Sequence, residues 1–275
     1  MDNGLIYKKC PPIYFILFLL CGSIGAQEKF RLADDIDHSW QAGIDLGKSI
    51  IQPSNKELKI FLLGSAAVIS SMLLADDAVK DYAVENTSSF RDNLFKIDKY
   101  YGNYRYMGGG ILLMYGSGYL LKEKHLKNMG LRTGQALIYN GFIGVVLKEI
   151  SGRARPFTNE GPFSYHPFAF REQYRAFYSG HTSSTFAFST VMAYEFDYWW
   201  WKTIWYGAAI LVGGARIYHN QHWFSDVVAG ALVGYTVGRF VATYDYEKTD
   251  AAKADISMDV HQQNMFFRLS IPFTK

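Results

Sequence analysis

Cysteine is nearly absent from this chain. Of 275 residues only Cys10 and Cys21 carry a thiol, and both fall within the first 26. If that stretch is removed, the mature chain has neither thiol nor disulfide, and cysteine chemistry is excluded. Charge of one sign is lacking as well. A formal net charge of +3, from 28 basic and 25 acidic residues, leaves no electrostatic footprint for a nucleic-acid partner. No linker divides the chain, so one substantial core is expected. No internal repeat or low-complexity segment is present, and strand-like alternation is missing until 265–273. Long unbroken apolar runs are scarce: a spanning helix wants about 20 mostly apolar residues, and the runs here are shorter. The mean hydropathy of -0.05 is low for a protein crossing a bilayer six times.

What is abundant is aromatic. Tyr and Phe number 20 each, and aromatics make up 17% of the chain. Such a composition suits helices at a membrane interface and equally suits a filled soluble core. Residues 1–26 read as a secretory signal, with Lys8 and Lys9 as the positive n-region, an apolar h-region over 13–20, and Gly25 and Ala26 before cleavage at Gln27. An uncleaved anchor is the competing reading. A lipoprotein is disfavoured because Leu19 and Leu20 precede Cys21, where a small residue is wanted. A polar segment, 27–57, follows and is expected to form short helices around the breaker Pro53. The expected helical domain is 58–245, with helices at 58–75, 107–121, 132–147, 183–196, 203–218 and 226–241, and 246–275 is a tail. Gly108, Gly109, Gly110, Gly116, Gly118, Gly213, Gly214, Gly230, Gly234 and Gly238 are expected to let helices approach closely. The fold class is therefore all-α: a bundle of about six core helices, membrane-embedded or membrane-associated.

Lys122, Lys124, Lys127 and Arg132 cluster between the second and third of these helices, where the positive-inside rule would put a cytoplasmic loop. Parity works against six full spans. A cleaved leader leaves the new N-terminus outside, and six spans would then carry the loop after the third helix into the cytoplasm. Outward-facing chemistry with a cleaved leader favours buried or interfacial helices, and both architectures stay open.

Three segments carry chemistry: 148–156 (KEISGRARP), 178–181 (YSGH) and 216–226 (RIYHNQHWFSD). Lys148, Arg155 and Arg216 supply fixed positive charge, and an arginine fork matches two phosphate oxygens at once. Gly152 and Pro156 end a helix, so the cations project from a loop. Ser179 stands at an N-cap, where its hydroxyl and the amides of Gly180 and His181 would face an anion. His222 and Asp226 are four apart, so a helix beginning near Trp223 would let the carboxylate accept the imidazole N–H. That arrangement would fix the tautomer for attack on phosphorus, with His181 protonating the leaving oxygen. Any one of these residues alone is ordinarily a solvated cation, a packed histidine or a plain cap; the ordered set of three is not.

In spacing and order the three segments resemble the signature of the type 2 phosphatidic acid phosphatase and vanadium haloperoxidase superfamily: Lys-x6-Arg-Pro, Pro-Ser-Gly-His and Ser-Arg-x5-His-x3-Asp. The resemblance covers about 58–241 and implies an all-helical bundle with the site at one end. It implies that Lys148, Arg155 and Arg216 hold phosphate with help from Ser179 and Gly180. His222 would be the nucleophile, Asp226 its partner and His181 the general acid, with no cofactor and no metal. Tyr178 departs from the pattern where it has Pro, and Ala215 where it has Ser, and neither removes a group the mechanism needs. The expected activity is hydrolysis of a phosphate monoester or pyrophosphate, lipid-linked (phosphatidate, polyprenyl pyrophosphate or lipid A), in a bacterial envelope. The chain would face the periplasm, from the inner membrane or as a membrane-associated periplasmic protein. Alternatives are a soluble periplasmic acid phosphatase acting on small phosphate esters, a vanadate-dependent haloperoxidase, and an inactive envelope scaffold.

Among the remaining residues, Arg153, His166, Arg171 and Arg175 are expected to meet the substrate headgroup or a membrane surface, or else to be solvated. His219 reads as structural. The run 198–202 reads as an interfacial aromatic belt at the end of the bundle away from the three segments.

Overall fold

A computed structural model describes residues 31–244. The expected leader 1–26 and the tail 246–275, with its strand over 265–273, lie outside them. The described residues carry nine α-helices: α1 (Leu32–Ile51), α2 (Asn55–Leu74), α3 (Asp76–Glu85), α4 (Ser89–Leu94), α5 (Tyr104–Leu120), α6 (Lys124–Ser151), α7 (Gly180–Glu195), α8 (Trp199–Tyr218) and α9 (Phe224–Thr243). Among them no strand forms beyond one isolated bridge, Arg153 with Tyr165. The six expected helices correspond to α2 and α5 to α9. Of the other three, α1 stands where short helices were expected, while α3 and α4 were not expected, and several boundaries move for identifiable reasons.

The polar segment is a single 20-residue helix, α1, rather than short pieces. It turns polar residues inward. Asp35 takes Lys127 Nζ at 2.7 and 2.9 Å and the Tyr115 hydroxyl at 2.8 Å, while Gln135 Nε2 donates to Ser39 Oγ at 2.9 Å. Its apolar residues Leu32, Ile36 and Trp40, spaced four apart on one stripe, face out, Trp40 at 70% exposure. The same ion pair explains why α6 begins at Lys124 instead of 132. Lys127 is a buried partner of α1, and Arg132 lies 3.6 Å from Glu195, so neither belongs to a charged loop. Helix α2 starts before 58 because Ser54 and Glu57 form a reciprocal capping box, the Ser54 N–H donating to Glu57 Oε2 at 2.7 Å. At the other end of α6, Gly152 adopts φ +57° and its N–H returns to the Lys148 carbonyl at 3.0 Å. A β-carbon there would sit 2.0 Å from the His166 carbonyl oxygen, so only glycine fits.

Helix α7 is the axis of the bundle, packed against α6, α8 and α9. It is buried on nearly every side although rich in hydroxyls. Many of those hydroxyls are hydrogen-bonded within the helix or to a neighbour: Thr185 donates to the Thr182 carbonyl at 2.9 Å, and Ser183 accepts from Asn140 Nδ2 at 3.0 Å. Helix α9 approaches along Gly230, Gly234 and Gly238, where added β-carbons would lie 2.7, 2.2 and 2.5 Å from the carbonyl oxygens of Ser179, Ser183 and Ala187. Gly118 plays the same part between α5 and α6, but Gly108, Gly109, Gly110 and Gly116 have open space beside them. The close-approach expectation fails at those four.

The turns α5–α6 and α7–α8 share one end, since His125 Nε2 lies 3.5 Å from Glu195 Oε2. The aromatic run is at that end too, with Trp201 Nε1 donating to the Met192 carbonyl at 2.6 Å and Trp201 edge-on to Phe196. Two helices, α2 and α9, are long and apolar enough to cross a membrane. Helix α2 has no buried residue.

Gly234→Ala is expected to destabilise the protein by about 1–3 kcal/mol, the usual range for overpacking. Gly108→Ala should be neutral or stabilising by roughly 0.5–1 kcal/mol, since alanine is the better helix former. Thermal unfolding of the two variants in detergent decides; equal effects would mean that α9 can move off α7 without loss.

Candidate active site

All three segments lie at the end of the bundle opposite the aromatic run 198–202. Lys148 sits in the last turn of α6 and donates to the Arg175 carbonyl at 2.8 Å. Its Nζ would be 3.9 Å from a β-carbon at Gly180, so a side chain there would press on the lysine. Arg155 is in the following loop, mostly buried, with Nη1 donating to Gln221 Oε1 at 2.7 Å and Nη2 paired with Glu172. Arg216, in the last turn of α8, donates to Asp98 Oδ2 at 2.9 Å, and His219 Nδ1 meets the same oxygen at 3.0 Å. His219 is thus structural, as expected, through a partner that the sequence did not indicate.

His181 is the second residue of α7. Its ring abuts Gly102, where a β-carbon would be 3.3 Å from His181 Cδ2. Burial, then Arg216, lowers its pKa to about 4. His222 is buried, and Nδ1 lies 2.8 Å from the Ala176 carbonyl. A carbonyl only accepts, so Nδ1 carries the proton and, in the neutral ring, the lone pair is on Nε2. Burial, followed by Lys148, Arg216, Arg155 and His181, holds the His222 pKa well below the ordinary imidazole value. The ring is therefore neutral at pH 7. Lys148 is lowered to about 7, again by burial first and then by Arg155. A set of cations that repel one another and resist protonation is one that an anion would relieve.

Two expectations need correction. Asp226 does not accept the His222 N–H: its Oδ2 is 3.8 Å from Nδ1 and accepts instead from the Trp223 amide at 2.9 Å. The cause is that α9 begins at Phe224, so His222 precedes the helix and the four-residue spacing does not put both side chains on one helical face. Ser179 caps α7, but its hydroxyl is committed to Thr182, at 2.8 Å from Oγ1 and 3.4 Å from the amide nitrogen. The Gly180 and His181 amides remain as the open first-turn donors.

Arg153, expected at a headgroup or in solvent, is wholly buried. Its Nη1 donates to Asp226 Oδ1 at 2.6 Å and to Ser225 Oγ at 2.8 Å, and Nη2 donates to Asp76 Oδ2 at 2.7 Å. Its backbone oxygen accepts from the Ala176 amide at 3.1 Å, the residue whose carbonyl orients His222. Of the other loop residues, His166 bonds Glu160 at 2.7 Å and Arg175 Nε pairs with Glu149 at 2.7 Å, while Arg171 is exposed. Tyr178, the departure from Pro, is buried with its hydroxyl on the Asn140 carbonyl at 3.1 Å, tying the segment to α6. Ala215 is buried without exposure. Asp76, Asp98, Glu172 and Gln221 were not foreseen; nothing in their local sequence marks them. Among the described residues no three His, Cys, Asp or Glu side chains converge as a metal site would require.

Arg153→Met should lower stability by about 3–5 kcal/mol, because it leaves Asp76 and Asp226 buried without their cation. Adding Asp76→Asn should recover part of that loss. Unfolding midpoints of the single and double variants test this, and a single-variant loss under about 1 kcal/mol would show that the network is not a structural tie.

The comparisons with known proteins agree with this geometry. Residues 130–250 match the model of the PAP2 superfamily. A lipid A 1-phosphatase of Rhizobium johnstonii is 33% identical over 100 residues, 36% of this chain and 40% of that protein. One from Porphyromonas gingivalis is 42% identical over 62 residues, 22% of this chain and 14% of that protein. The chain thus spans two fifths or less of the length of these relatives. A crystal structure of a transmembrane PAP2-type phosphatidylglycerolphosphate phosphatase from Bacillus subtilis shares the fold, with a TM-score of 0.53 and 21% identity over 71% of this chain and 96% of that one. All three segments lie inside the region that matches the PAP2 superfamily model, and they meet at one end of an all-α bundle.

Proposed function

We propose that this protein is a phosphatase that removes phosphate from a lipid-linked monoester or pyrophosphate through a phosphohistidine on His222, without a metal. The observation that carries the reading is a neutral, oriented His222 facing Lys148, Arg155, Arg216 and His181 at the open end of α7. In the first step Nε2 of His222 forms the N–P bond as the P–O bond to the leaving group breaks. The three cations and the first-turn amides take up charge on the phosphoryl oxygens. Asp226, 3.8 Å from Nδ1, stabilises the imidazolium by charge. His181 gives its proton to the leaving oxygen; the bound phosphate's negative charge offsets Arg216 and raises the ring's proton affinity from its low resting value. Water then attacks phosphorus, forming a P–O bond as the N–P bond to His222 breaks; His181 takes the water's proton, and inorganic phosphate leaves.

The lipid-linked class is supported by the names of the relatives and by the surface. Helix α2 exposes Phe61, Leu62, Leu63, Leu73 and Leu74, an apolar face that a water-soluble acid phosphatase would not keep. For orientation, Lys122 and Lys124 lie at the tryptophan end, away from the site, which favours a site facing the periplasm. With Cys10 and Cys21 replaced by Ser, a Glu160→Cys variant should react with a membrane-impermeant maleimide in intact spheroplasts. Labelling only after lysis would put the site in the cytoplasm.

The chemistry is tested by rapid-quench trapping. His222→Ala should abolish both turnover and the acid-labile phosphoprotein. His181→Ala should slow an alkyl ester by about 10²- to 10⁴-fold, the usual range for general-acid help, and a nitrophenyl ester by less. Activity should persist in excess chelator. A phosphoprotein that still forms in His222→Ala, or activity lost to chelator and restored by a divalent ion, would sink the mechanism.

A further inference from the structure

Arg155 is the one member of the cation cluster whose guanidinium is held by an exposed acid. Its Nη2 is paired with Glu172, whose side chain is 71% exposed, whereas Arg216 is held by Asp98 at 4% exposure. Lys148 has a backbone carbonyl instead. A carboxylate on an arginine fork has the shape and charge of two phosphate oxygens. The Glu172 charge is also felt at Lys148.

We propose that Glu172 is a built-in competitor for the substrate phosphate: its carboxylate occupies the Arg155 face that a phosphoryl group must take, and substrate binds by displacing it. This rests on the phosphatase reading above and adds the group that phosphate must evict.

The backbone shows how displacement works. The Arg155 amide donates to the Gln173 carbonyl at 2.8 Å, and Lys148 Nζ holds the Arg175 carbonyl at 2.8 Å. The chain just after Glu172 is therefore pinned, and release needs only rotation of its exposed side chain. A second cation awaits it: Arg175 Nη1 already lies 3.7 Å from Glu172 Oε2. The displaced carboxylate trades one arginine for another instead of being left unpaired. Arg155 meanwhile keeps Gln221 on Nη1, so its fork stays aimed while Nη2 changes partner. A competitor of this kind acts on the ground state alone. It weakens substrate binding and inhibition by product, and leaves the chemical step unchanged once phosphate is seated.

The probe is inorganic phosphate, bound to the detergent-solubilised full chain and measured by isothermal titration, alongside steady-state kinetics on a lipid phosphate. Glu172→Gln removes the charge and Glu172→Ala removes the group. Because the pair has one exposed partner, Kd for phosphate should fall by about three- to tenfold in Gln and at least as much in Ala. KM should fall in step, with kcat unchanged. Unchanged or weaker phosphate binding in both variants would overturn the proposal, as would a fall in kcat, which would make Glu172 a participant in proton transfer. If neither the wild type nor either variant binds phosphate, the phosphatase reading itself fails and takes the competitor with it. If the wild type binds and the variants bind no better, only the competitor fails.

Discussion

Two carboxylates, Asp76 and Asp226, share one buried guanidinium, and the site is built around that triad. Arg153 reaches across 77 residues to Asp76 and 73 to Asp226, so it joins α3, the α6–α7 loop and α9 at one point. Ser225 closes the ring, donating from Oγ to Asp76 Oδ2 at 2.7 Å and from its amide to Oδ1 at 2.8 Å. Trp223 adds a further tie through Nε1 to the Ala154 carbonyl at 2.8 Å. The tautomer of His222 depends on this arrangement indirectly, because the carbonyl that fixes Nδ1–H belongs to a residue whose amide is held by Arg153. Buried ionic groups of this kind give little net stability over an apolar core. What they give is a single relative placement of segments that no hydrophobic contact would distinguish.

The cations are arranged by the same logic, with partners of graded permanence. Arg216 is fixed by a buried acid, Lys148 by a carbonyl and Arg155 in part by an exposed acid. Electrostatic stabilisation of a developing charge works best when the dipoles and charges are already aimed and little reorganisation is needed. On the proposed mechanism the first two partners would supply that aim and leave the anion its place, since each occupies only part of the cation's donor set. On the same mechanism the Gly180 and His181 amides would act likewise, beside a Ser179 hydroxyl that turns inward to cap the helix.

Spacing in the sequence was enough to pick out cations and histidines that the structure brings to one end of the bundle, because each motif is short. It was not enough to find what holds them. Asp76 and Asp98 are single acids in ordinary helical surroundings, and their partners lie far along the chain, so no local pattern marks them. Arg153 was misread for a related reason: an arginine two residues from another in a loop looks solvated, and its burial follows only from where α3 and α9 meet. The i, i+4 rule placed Asp226 correctly in space but gave it the wrong hydrogen bond, since the rule presumes a helix that begins before His222. Charge misled at α6 as well, where Lys127 looked like loop and proved to be the anchor for α1.

Helix α1 is built inside out, and that sets how it is attached. Its contact with the body adds an ion pair, a carboxylate–phenol bond and an amide–hydroxyl bond to the buried Ala42 and Leu46, while Leu32, Ile36 and Trp40 face away. In water that outward stripe would gain nothing from docking, since it stays exposed. Surrounded by hydrocarbon the balance reverses: the Lys127–Asp35 attraction strengthens as the dielectric falls, and the outward stripe needs no cover. The Lys127–Asp35 pair is itself buried, so salt reaches it poorly, and the polarity of whatever lies against the outward stripe bears more on the hold of α1 than ionic strength does.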